Sequence, residues 1–211
     1  MKMADSEEII RGETDKEKIS PAHTKKKSII KEYVEILVVA FILAMILKTF
    51  VVQAFKIPTG SMKNTLLVGD HIFVSKFFYG YKLPFIDKRI FYFIQPSRKD
   101  IVVFRYPNDT SRDFIKRVIG LPGETLEVKN KEVYINGNKI DEPYVIHSMA
   151  GLRNDMDFFG PYLIPKGSYF MMGDNRDESL DSRSWGPLEE KFILGKAFFR
   201  YWPPRRIGLI R

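Results

Sequence analysis

A turn with two hydroxyl groups follows shortly after the most apolar segment of this chain. It lies in the stretch Ile57-Pro58-Thr59-Gly60-Ser61-Met62-Lys63-Asn64-Thr65-Leu66-Leu67-Val68-Gly69-Asp70. Pro58 and Gly60 mark the turn, and Thr59 and Ser61 carry the hydroxyls. Because apolar residues follow at once, a hydroxyl here has the setting of a nucleophile at the edge of an apolar cleft. A loop that leads into a strand has the same short pattern, so both interpretations remain open.

Composition limits the classes of protein to which the chain can belong. Its 211 residues suffice for one domain and an appendage. The formal net charge of +8 suits an anionic membrane surface or nucleic acid. Nucleic acid is the weaker interpretation and is not predicted as a partner. The clearest basic run, residues 25–27, lies next to an apolar segment, and the other basic residues are scattered among acids.

Cysteine is absent, which excludes disulfides, thiolate metal sites and cysteine nucleophiles. The three histidines, His23, His71 and His147, form no His-Glu-x-x-His motif. A metal site would have to be built from carboxylates. We predict no metal and no other cofactor.

The N-terminal quarter changes composition abruptly. Residues 1–28 are polar and of mixed charge, which predicts a disordered tail on the cytoplasmic side. Residues 36–47 (ILVVAFILAMIL) are an unbroken apolar run. Together with its flanks this run predicts a transmembrane anchor helix over residues 29–52, because about twenty helical residues span the roughly 30 Å hydrocarbon core. A helix buried in a protein core is the alternative.

Positive charge flanks the apolar run unevenly. Six lysines lie between residues 16 and 31, whereas beyond residue 52 only Lys56 and Lys63 follow closely. Because the basic side of a membrane helix stays in the cytoplasm, we predict a single pass with the N-terminus inside and residues 53–211 outside. No small-x-small cleavage site follows the run, so the anchor is expected to remain uncleaved.

Residues 53–211 have the pattern of a mainly β domain. Short apolar or β-branched runs bounded by turn residues occur at residues 71–76, 100–105 and 125–128. An Asn136-Gly137 turn predicts a hairpin within a small hairpin region of about residues 125–165. Because no long amphipathic helix follows residue 52, we predict antiparallel sheets that form a β-sandwich or a partly open barrel.

Two aromatic and basic clusters occur in this domain, at residues 77–81 and 198–206. Both are typical of core-facing strands, and both are also typical of a surface that rests on lipid headgroups.

Lys116 is the anomaly in residues 113–124 (DFIKRVIGLPGE), which predict a strand ended by a Gly-x-Pro-Gly turn. Alternation of side chains places Lys116 on the same face as Phe114 and Val118. If that face is buried, loss of solvent lowers the pKa of the lysine from about 10.4 toward 8. The neutral amine could then take a proton from a serine. A lysine that reaches solvent from a sheet edge is the alternative.

The densest polar stretch is residues 173–186 (GDNRDESLDSRSWG). A calcium loop does not fit it, because Arg176 stands at the third position and the sixth is not glycine. The stretch is typical of a hydrogen-bonded, ion-paired support for a site, and also of a solvated loop. A Ser-His-Asp triad is not expected, because neither His71 nor His147 has a recognisable triad setting.

Four segments in order, after the apolar run, closely resemble bacterial type I signal peptidases, the membrane-anchored serine proteases that remove secretory signal peptides. They are residues 57–62 (IPTGSM), 100–107 (DIVVFRYP), 113–124 (DFIKRVIGLPGE) and 173–183 (GDNRDESLDSR). The third and fourth segments are long and specific. Asn64 departs from the family, which frequently has proline at this position.

The resemblance implies a Ser-Lys dyad in which Ser61 is the nucleophile and Lys116 the general base. Thr59 matches a position, usually serine, whose hydroxyl joins the oxyanion hole, and Ser179 matches the serine that orients the lysine. The resemblance also implies supporting ion pairs, formed by Asp181 with Arg183 and by Asp174 with Arg117.

The resemblance further implies a substrate site and partners. Seven apolar residues are expected to shape shallow pockets for small side chains at the −1 and −3 positions: Phe55, Ile57, Met62, Leu66, Ile72, Phe114 and Ile115. The expected partners are signal peptides of secretory preproteins, the lipid bilayer and the secretion translocon. The expected location is the bacterial cytoplasmic (inner) membrane, with the catalytic domain on its outer face.

Two other functions remain open at this point. A specialised relative that processes a single pilus or conjugation protein would carry the same motifs. A membrane-tethered β domain that binds secreted proteins without cutting them would share the fold and lack the chemistry.

Overall fold

The computed structural model describes residues 29–46, 52–76, 79, 81–82, 89–90, 94–151 and 156–210. The chain divides into two compact units, Met1–Ala40 and Phe41–Arg211. The predicted disordered tail, residues 1–28, lies outside the described residues.

The N-terminal helix, α1, covers Ile29–Ile46. Lys31, Glu32 and Glu35 lie in its first two turns, ahead of the apolar run. Of the helices in the described ranges, none combines the length and the apolar character that a membrane crossing requires. The prediction that the helix includes residue 52 is wrong, because Val52 is a strand residue that pairs with Ser75.

The rest of the described chain is mainly antiparallel β structure, which confirms the predicted class. The strands are β1 (Val52–Lys56), β2 (His71–Ser75), β3 (Tyr81–Lys82), β4 (Arg89–Ile90), β5 (Ile101–Tyr106), β6 (Asp109–Gly120), β7 (Thr125–Lys129), β8 (Glu132–Ile135), β9 (Asn138–Lys139), β10 (Phe159–Leu163), β11 (Ser168–Met172), β12 (Leu188–Glu189), β13 (Ile193–Trp202) and β14 (Gly208–Leu209). A short helix, α2, covers Ser182–Trp185. Turns of 3₁₀ helix cover Gly60–Met62, Arg176–Glu178, Glu190–Phe192 and Pro204–Arg206.

These strands form three sheets within the described residues. The large sheet has the order β1-β2-β13-β5-β6-β11-β12, with β14 paired to β13. A second sheet has the order β10-β7-β8-β9, and β3 pairs with β4. A barrel is not confirmed, because β1 and β12 lie at the two ends of the large sheet and no described pairing joins them.

The second sheet occupies the predicted hairpin region. Its β8–β9 hairpin turns at Asn136 and Gly137, which have φ angles of 52° and 80°. Positive φ at both central residues is the geometry that makes Asn-Gly the preferred two-residue hairpin turn. The local sequence was therefore sufficient to predict this turn.

Strand β6 positions the candidate site. It pairs with β5 on one side and β11 on the other, and its last six residues, from Ile115 to Gly120, are buried on both faces. Ile115 packs in a core cluster with Ile57 and Met62, whereas Phe114 packs against a second cluster that contains Val118. Because both faces are covered, a polar side chain in this part of β6 is removed from water.

Candidate active site

Ser61 lies in a loop whose two ends are tied together. In this Ser61 loop, residues 57–70, the Ile57 N–H donates to the Asp70 carbonyl over 2.8 Å and the Gly69 N–H donates to the Ile57 carbonyl over 2.9 Å. Ser61 itself sits in the 3₁₀ turn Gly60–Met62. Met62 is fully buried and anchors the turn in the core, so the position of the serine is well defined.

Lys116 on β6 contacts this serine directly. Its Nζ donates to Ser61 Oγ over 2.6 Å and to the Ile115 carbonyl over 3.2 Å. Only 4% of Lys116 is exposed. This burial lowers the pKa of Lys116 to about 8, and the Asp181 and Asp174 carboxylates oppose the shift. A neutral amine is therefore accessible near pH 8, within hydrogen-bonding distance of a hydroxyl that it could deprotonate.

We expect the Lys116→Met variant to be more stable than the native protein at pH 7. The pKa of this lysine is about 8 in the folded state, against 10.5 for an ordinary lysine. Below pH 8 the folded protein must hold a buried charge, and between pH 8 and 10.5 the unfolded chain binds more protons, so the native stability rises with pH across that window. Methionine removes this cost, and we expect a gain of about 2–3 kcal/mol, which allows for the lost hydrogen bond to Ser61.

Urea unfolding at pH 7 and at pH 10 measures this difference. The advantage of the variant should shrink at the higher pH, where the native lysine is already neutral. A variant that is less stable than the native protein at pH 7 would contradict the prediction.

Arg117 and Asp174 form a buried bidentate ion pair beside the dyad. The guanidinium Nε lies 2.8 Å from Asp174 Oδ1, and Nη2 lies 2.7 Å from Oδ2. The Thr65 hydroxyl donates to the same carboxylate over 2.5 Å. The pair thus links β6, the Ser61 loop and residues 173–183, which we call the polar loop. Removal of one partner from such a pair typically costs about 3–5 kcal/mol.

A second buried ion pair closes the polar loop. Asp181 accepts hydrogen bonds from Arg183 Nε and Nη2 over 3.0 and 2.9 Å. The Asp181 carboxylate also accepts from the main-chain N–H groups of Arg183 and Gly173, so it caps α2 and holds the two ends of the loop together. The dense polar sequence is therefore largely buried and internally bonded, and it is not a solvated loop.

Ser179 lies in the polar loop, and only 2% of it is exposed. Its Oγ has no hydrogen-bond partner among the described residues. A side chain at Gly173 would come within 2.3 Å of this Oγ and 2.5 Å of the Ser61 carbonyl oxygen. Glycine at this position therefore lets the two serine segments approach each other. The orienting role of Ser179 toward Lys116 stays a prediction.

Thr59 lies two residues before Ser61 and is exposed. Its backbone is extended, with φ −132° and ψ 159°, and its hydroxyl does not cap the following turn. The side chain is therefore not committed to that turn, and its part in an oxyanion hole stays a prediction.

The seven apolar residues expected at the substrate site divide into two groups. Met62, Leu66 and Ile72 have no exposed surface, so they support the site from within the core. Ile57 and Ile115 are buried in the same cluster, and Phe55 packs against it while remaining partly exposed. Phe114 is also partly exposed. A direct contact with substrate stays a prediction for all seven residues, of which only Phe55 and Phe114 are partly exposed.

The two described histidines have partners other than Ser61. His71 Nδ1 lies 3.3 Å from the Tyr201 hydroxyl, and His147 Nδ1 lies 3.4 Å from Asp177 Oδ1. The hydroxyl of Ser61 is bonded to Lys116 instead. The geometry is that of a serine–lysine pair.

Several supporting residues were missed by sequence reasoning. The Asn175 N–H donates to the Ser61 carbonyl over 3.1 Å, although this asparagine lies within a recognised motif. Arg206 binds both oxygens of the buried Asp70 carboxylate over 3.0 and 2.9 Å. The arginine belongs to the second aromatic and basic cluster, and it braces the Ser61 loop. No local pattern could have predicted a contact between residues 136 positions apart.

Residues 30–202 match a protein family described as signal peptidase, peptidase S26. The chain belongs to this family. It is a serine peptidase, and the chain is 37% identical to the signal peptidase I of Pseudomonas fluorescens, with 88% of this chain and 81% of the relative covered. The probable signal peptidase I-2 of Synechocystis is 36% identical over 97% of this chain and 86% of the relative. A crystal structure of a signal peptidase I from Enterococcus faecalis aligns with 48% of this chain and 96% of its own, at 34% identity and a TM-score of 0.43.

In this member of the signal peptidase family, the motifs that carry the resemblance converge on Ser61. The first motif supplies Ser61, the third supplies Lys116 and Arg117, and the polar loop supplies Asp174. The second motif forms β5, in which Val102 is paired with Lys116. The second motif therefore aligns the strand that carries the lysine.

Proposed function

We propose that this member of the signal peptidase family removes signal peptides from secretory preproteins through a Ser61–Lys116 dyad. The observation that carries the proposal is the 2.6 Å contact between Ser61 Oγ and a buried lysine amine whose pKa is lowered to about 8. The names of the relatives support the substrate class, since the Pseudomonas fluorescens protein is a signal peptidase I.

The proposed reaction proceeds through an acyl-enzyme. Neutral Lys116 takes the Ser61 proton as Oγ attacks the scissile carbonyl carbon, and the resulting oxyanion accepts hydrogen bonds from the Ser61 N–H and the Thr59 hydroxyl. The C–N bond then breaks, and the protonated Lys116 gives its proton to the leaving amine. Water attacks the serine ester, Lys116 takes a proton from that water, and Ser61 recovers the proton when the acid leaves.

The two carboxylates of the polar loop that influence Lys116 are each fixed and balanced by an ion pair. Asp174 and Asp181 both act to raise the pKa of Lys116. Each carboxylate is paired with a buried guanidinium, Arg117 or Arg183, at 2.7 and 2.9 Å. Because the arginines balance these charges, burial remains the dominant influence on the amine, and the lysine stays available as a base near pH 8.

We also propose a location at the bacterial cytoplasmic membrane, with the catalytic domain on the outer face and the bilayer and secretion translocon as neighbours. The support is the apolar run at residues 36–47, the lysines that precede it, and the fact that a signal peptide presents its cleavage site at that surface. Membrane fractionation of cells that express the full chain, compared with a chain lacking residues 1–52, tests the location. Recovery of the full chain in the soluble fraction would contradict it.

The decisive test of the function is cleavage of several unrelated preproteins by the full chain in detergent. The native protein should release each mature protein at its signal-peptide junction, as read by N-terminal sequencing, and Ser61→Ala should abolish release. The matched control is Ser111→Ala, a change of an exposed serine on β6 whose hydroxyl bonds only Asp109 among the described residues. Products that are identical with and without Ser61 would refute the proposal, and cleavage of a single substrate would favour a specialised processing enzyme.

A further inference from the structure

The Ser61 loop contains a tight turn that requires an unusual backbone conformation at Asn64. Lys63 has φ −52° and ψ 143°, Asn64 has φ 90°, and the Thr65 N–H donates to the Met62 carbonyl over 3.1 Å. These values define a type II turn, whose third position demands a positive φ and therefore favours glycine or asparagine. Proline cannot occupy this position, because its ring holds φ near −65°.

The side chain of Asn64 reaches a segment that belongs to none of the four motifs. Its Nδ2 donates to the Tyr144 carbonyl over 3.0 Å, across 80 positions of sequence. The neighbouring Ile146 pairs with the polar loop, since its N–H donates to the Asp174 carbonyl over 2.9 Å and its carbonyl accepts from the Arg176 N–H over 3.1 Å. The segment of residues 144–146 therefore bridges the Ser61 loop and the polar loop.

The ring of Tyr144 covers the ion pair that lies between those two loops. The Arg117 guanidinium carbon lies 3.8 Å from the ring centroid. The Tyr144 hydroxyl donates to Glu142 over 3.0 Å, and Glu142 is paired with the buried Arg176 at 2.5 Å. The ring is thus held at its far end while its face rests on Arg117.

These contacts form a closed circuit of five residues beside the dyad. Asn64 binds Tyr144, Tyr144 stacks on Arg117, Arg117 binds Asp174, and Asp174 accepts a hydrogen bond from Thr65, the residue that follows Asn64. We propose that Asn64 and Tyr144 are positioning residues, which lock the Ser61 loop against the Arg117–Asp174 pair and so hold Ser61 in register with Lys116. This inference rests on the proposed function for its activity test, and a second test is independent of activity.

Variants of Asn64 separate the backbone requirement from the hydrogen bond. Asn64→Gly keeps the positive φ and loses only the amide, so we expect kcat to fall about fivefold with KM within about twofold. Asn64→Pro matches the residue frequent in the family but cannot adopt this turn, so we expect kcat to fall about 100-fold or more. The matched control is Asn136→Gly, because Asn136 also has a positive φ, 52°, and its side chain accepts from the Thr125 N–H over 2.9 Å, in the second sheet. It should lose stability without a change in kcat.

Variants of Tyr144 test the stacked ring. Tyr144→Leu should lower kcat about tenfold, because it removes the aromatic face from Arg117, whereas Tyr144→Phe keeps that face and should restore most of the rate. Equal losses in the two variants would overturn the role of the ring.

Hydrogen exchange provides the readout that does not depend on proteolysis. In Asn64→Gly we expect the amides of residues 60–70 and 144–147 to exchange at least about fivefold faster than in the native protein, with no such change in Asn136→Gly. Unchanged exchange in both segments would overturn the inference, whether or not the protein cleaves preproteins. If Asn64→Pro proves as active as the native protein, the inference also fails. Loss of cleavage in Ser61→Ala, together with native kcat in Asn64→Gly, would refute only the positioning role of Asn64. The proposed function would remain supported.

Discussion

The Lys116→Ala variant is expected to cleave preproteins about 10²–10⁴-fold more slowly than the native protein, the range that a positioned general base typically supplies. The reason is structural as well as chemical. The amine is the only described donor or acceptor on the Ser61 hydroxyl, at 2.6 Å, so alanine leaves the nucleophile without a base.

The dependence of kcat/KM on pH in the native protein is a second test of Lys116 as the base. Because the neutral amine is the active form and the pKa of Lys116 is lowered to about 8, kcat/KM should rise about tenfold per pH unit below pH 8 and level off above it. Measurement of kcat/KM between pH 6 and pH 9.5 tests this direction. The control Lys129→Ala, an exposed lysine on β7 paired with Glu127, should leave both the rate and the profile unchanged. Undiminished activity in Lys116→Ala, or a kcat/KM that falls as the pH rises through 8, would contradict the proposed role of Lys116 as the general base.

The second large effect is expected at Gly173. A β-carbon there would lie 2.3 Å from Ser179 Oγ and 2.5 Å from the Ser61 carbonyl oxygen, distances that require one of the serine segments to move. Since a displacement of about 1 Å at a catalytic group can cost about 100-fold in rate, we expect Gly173→Ala to lower kcat by about that factor.

A matched glycine variant controls for the substitution itself. At Gly208 in β14, a β-carbon would meet no atom within 4 Å and the φ angle is not positive, so Gly208→Ala should keep the native kcat. Comparable kcat values for Gly173→Ala and the native protein would show that the two serine segments do not need their close approach. Circular dichroism of both variants verifies that any loss of rate occurs in a folded protein.

Several features of the fold were predictable because they depend on residues close in sequence. The runs at β2, β5 and β7 alternate or cluster apolar residues, and Asn136-Gly137 favours the turn that it makes. The class of the domain follows from such local preferences. The order of the strands does not, since the C-terminal strand β13 lies between β2 and β5 through pairings that span about half of the chain.

The candidate site shows the same division. Ser61, Lys116, the polar loop and its two ion pairs were identified from motifs, but the contacts that other segments make with them were not. Arg206 on Asp70 and Asn64 on Tyr144 are single polar contacts between distant segments, and nothing in the local pattern of either partner specifies the other. Met62 and Ile72 were expected at a substrate pocket and proved to be fully buried, because loop and strand residues beside the site also complete the core.

Local patterns were sufficient to predict a mainly antiparallel β protein, to place a serine in a turn and a lysine on a strand, and to indicate the signal peptidase family. The same patterns allowed Lys116 either to reach solvent or to be buried. Burial results from the assembled sheet, because β5 and β11 flank β6 on both sides and packed clusters cover its faces. Water is excluded from the amine only when these distant strands assemble, and that exclusion lowers its pKa.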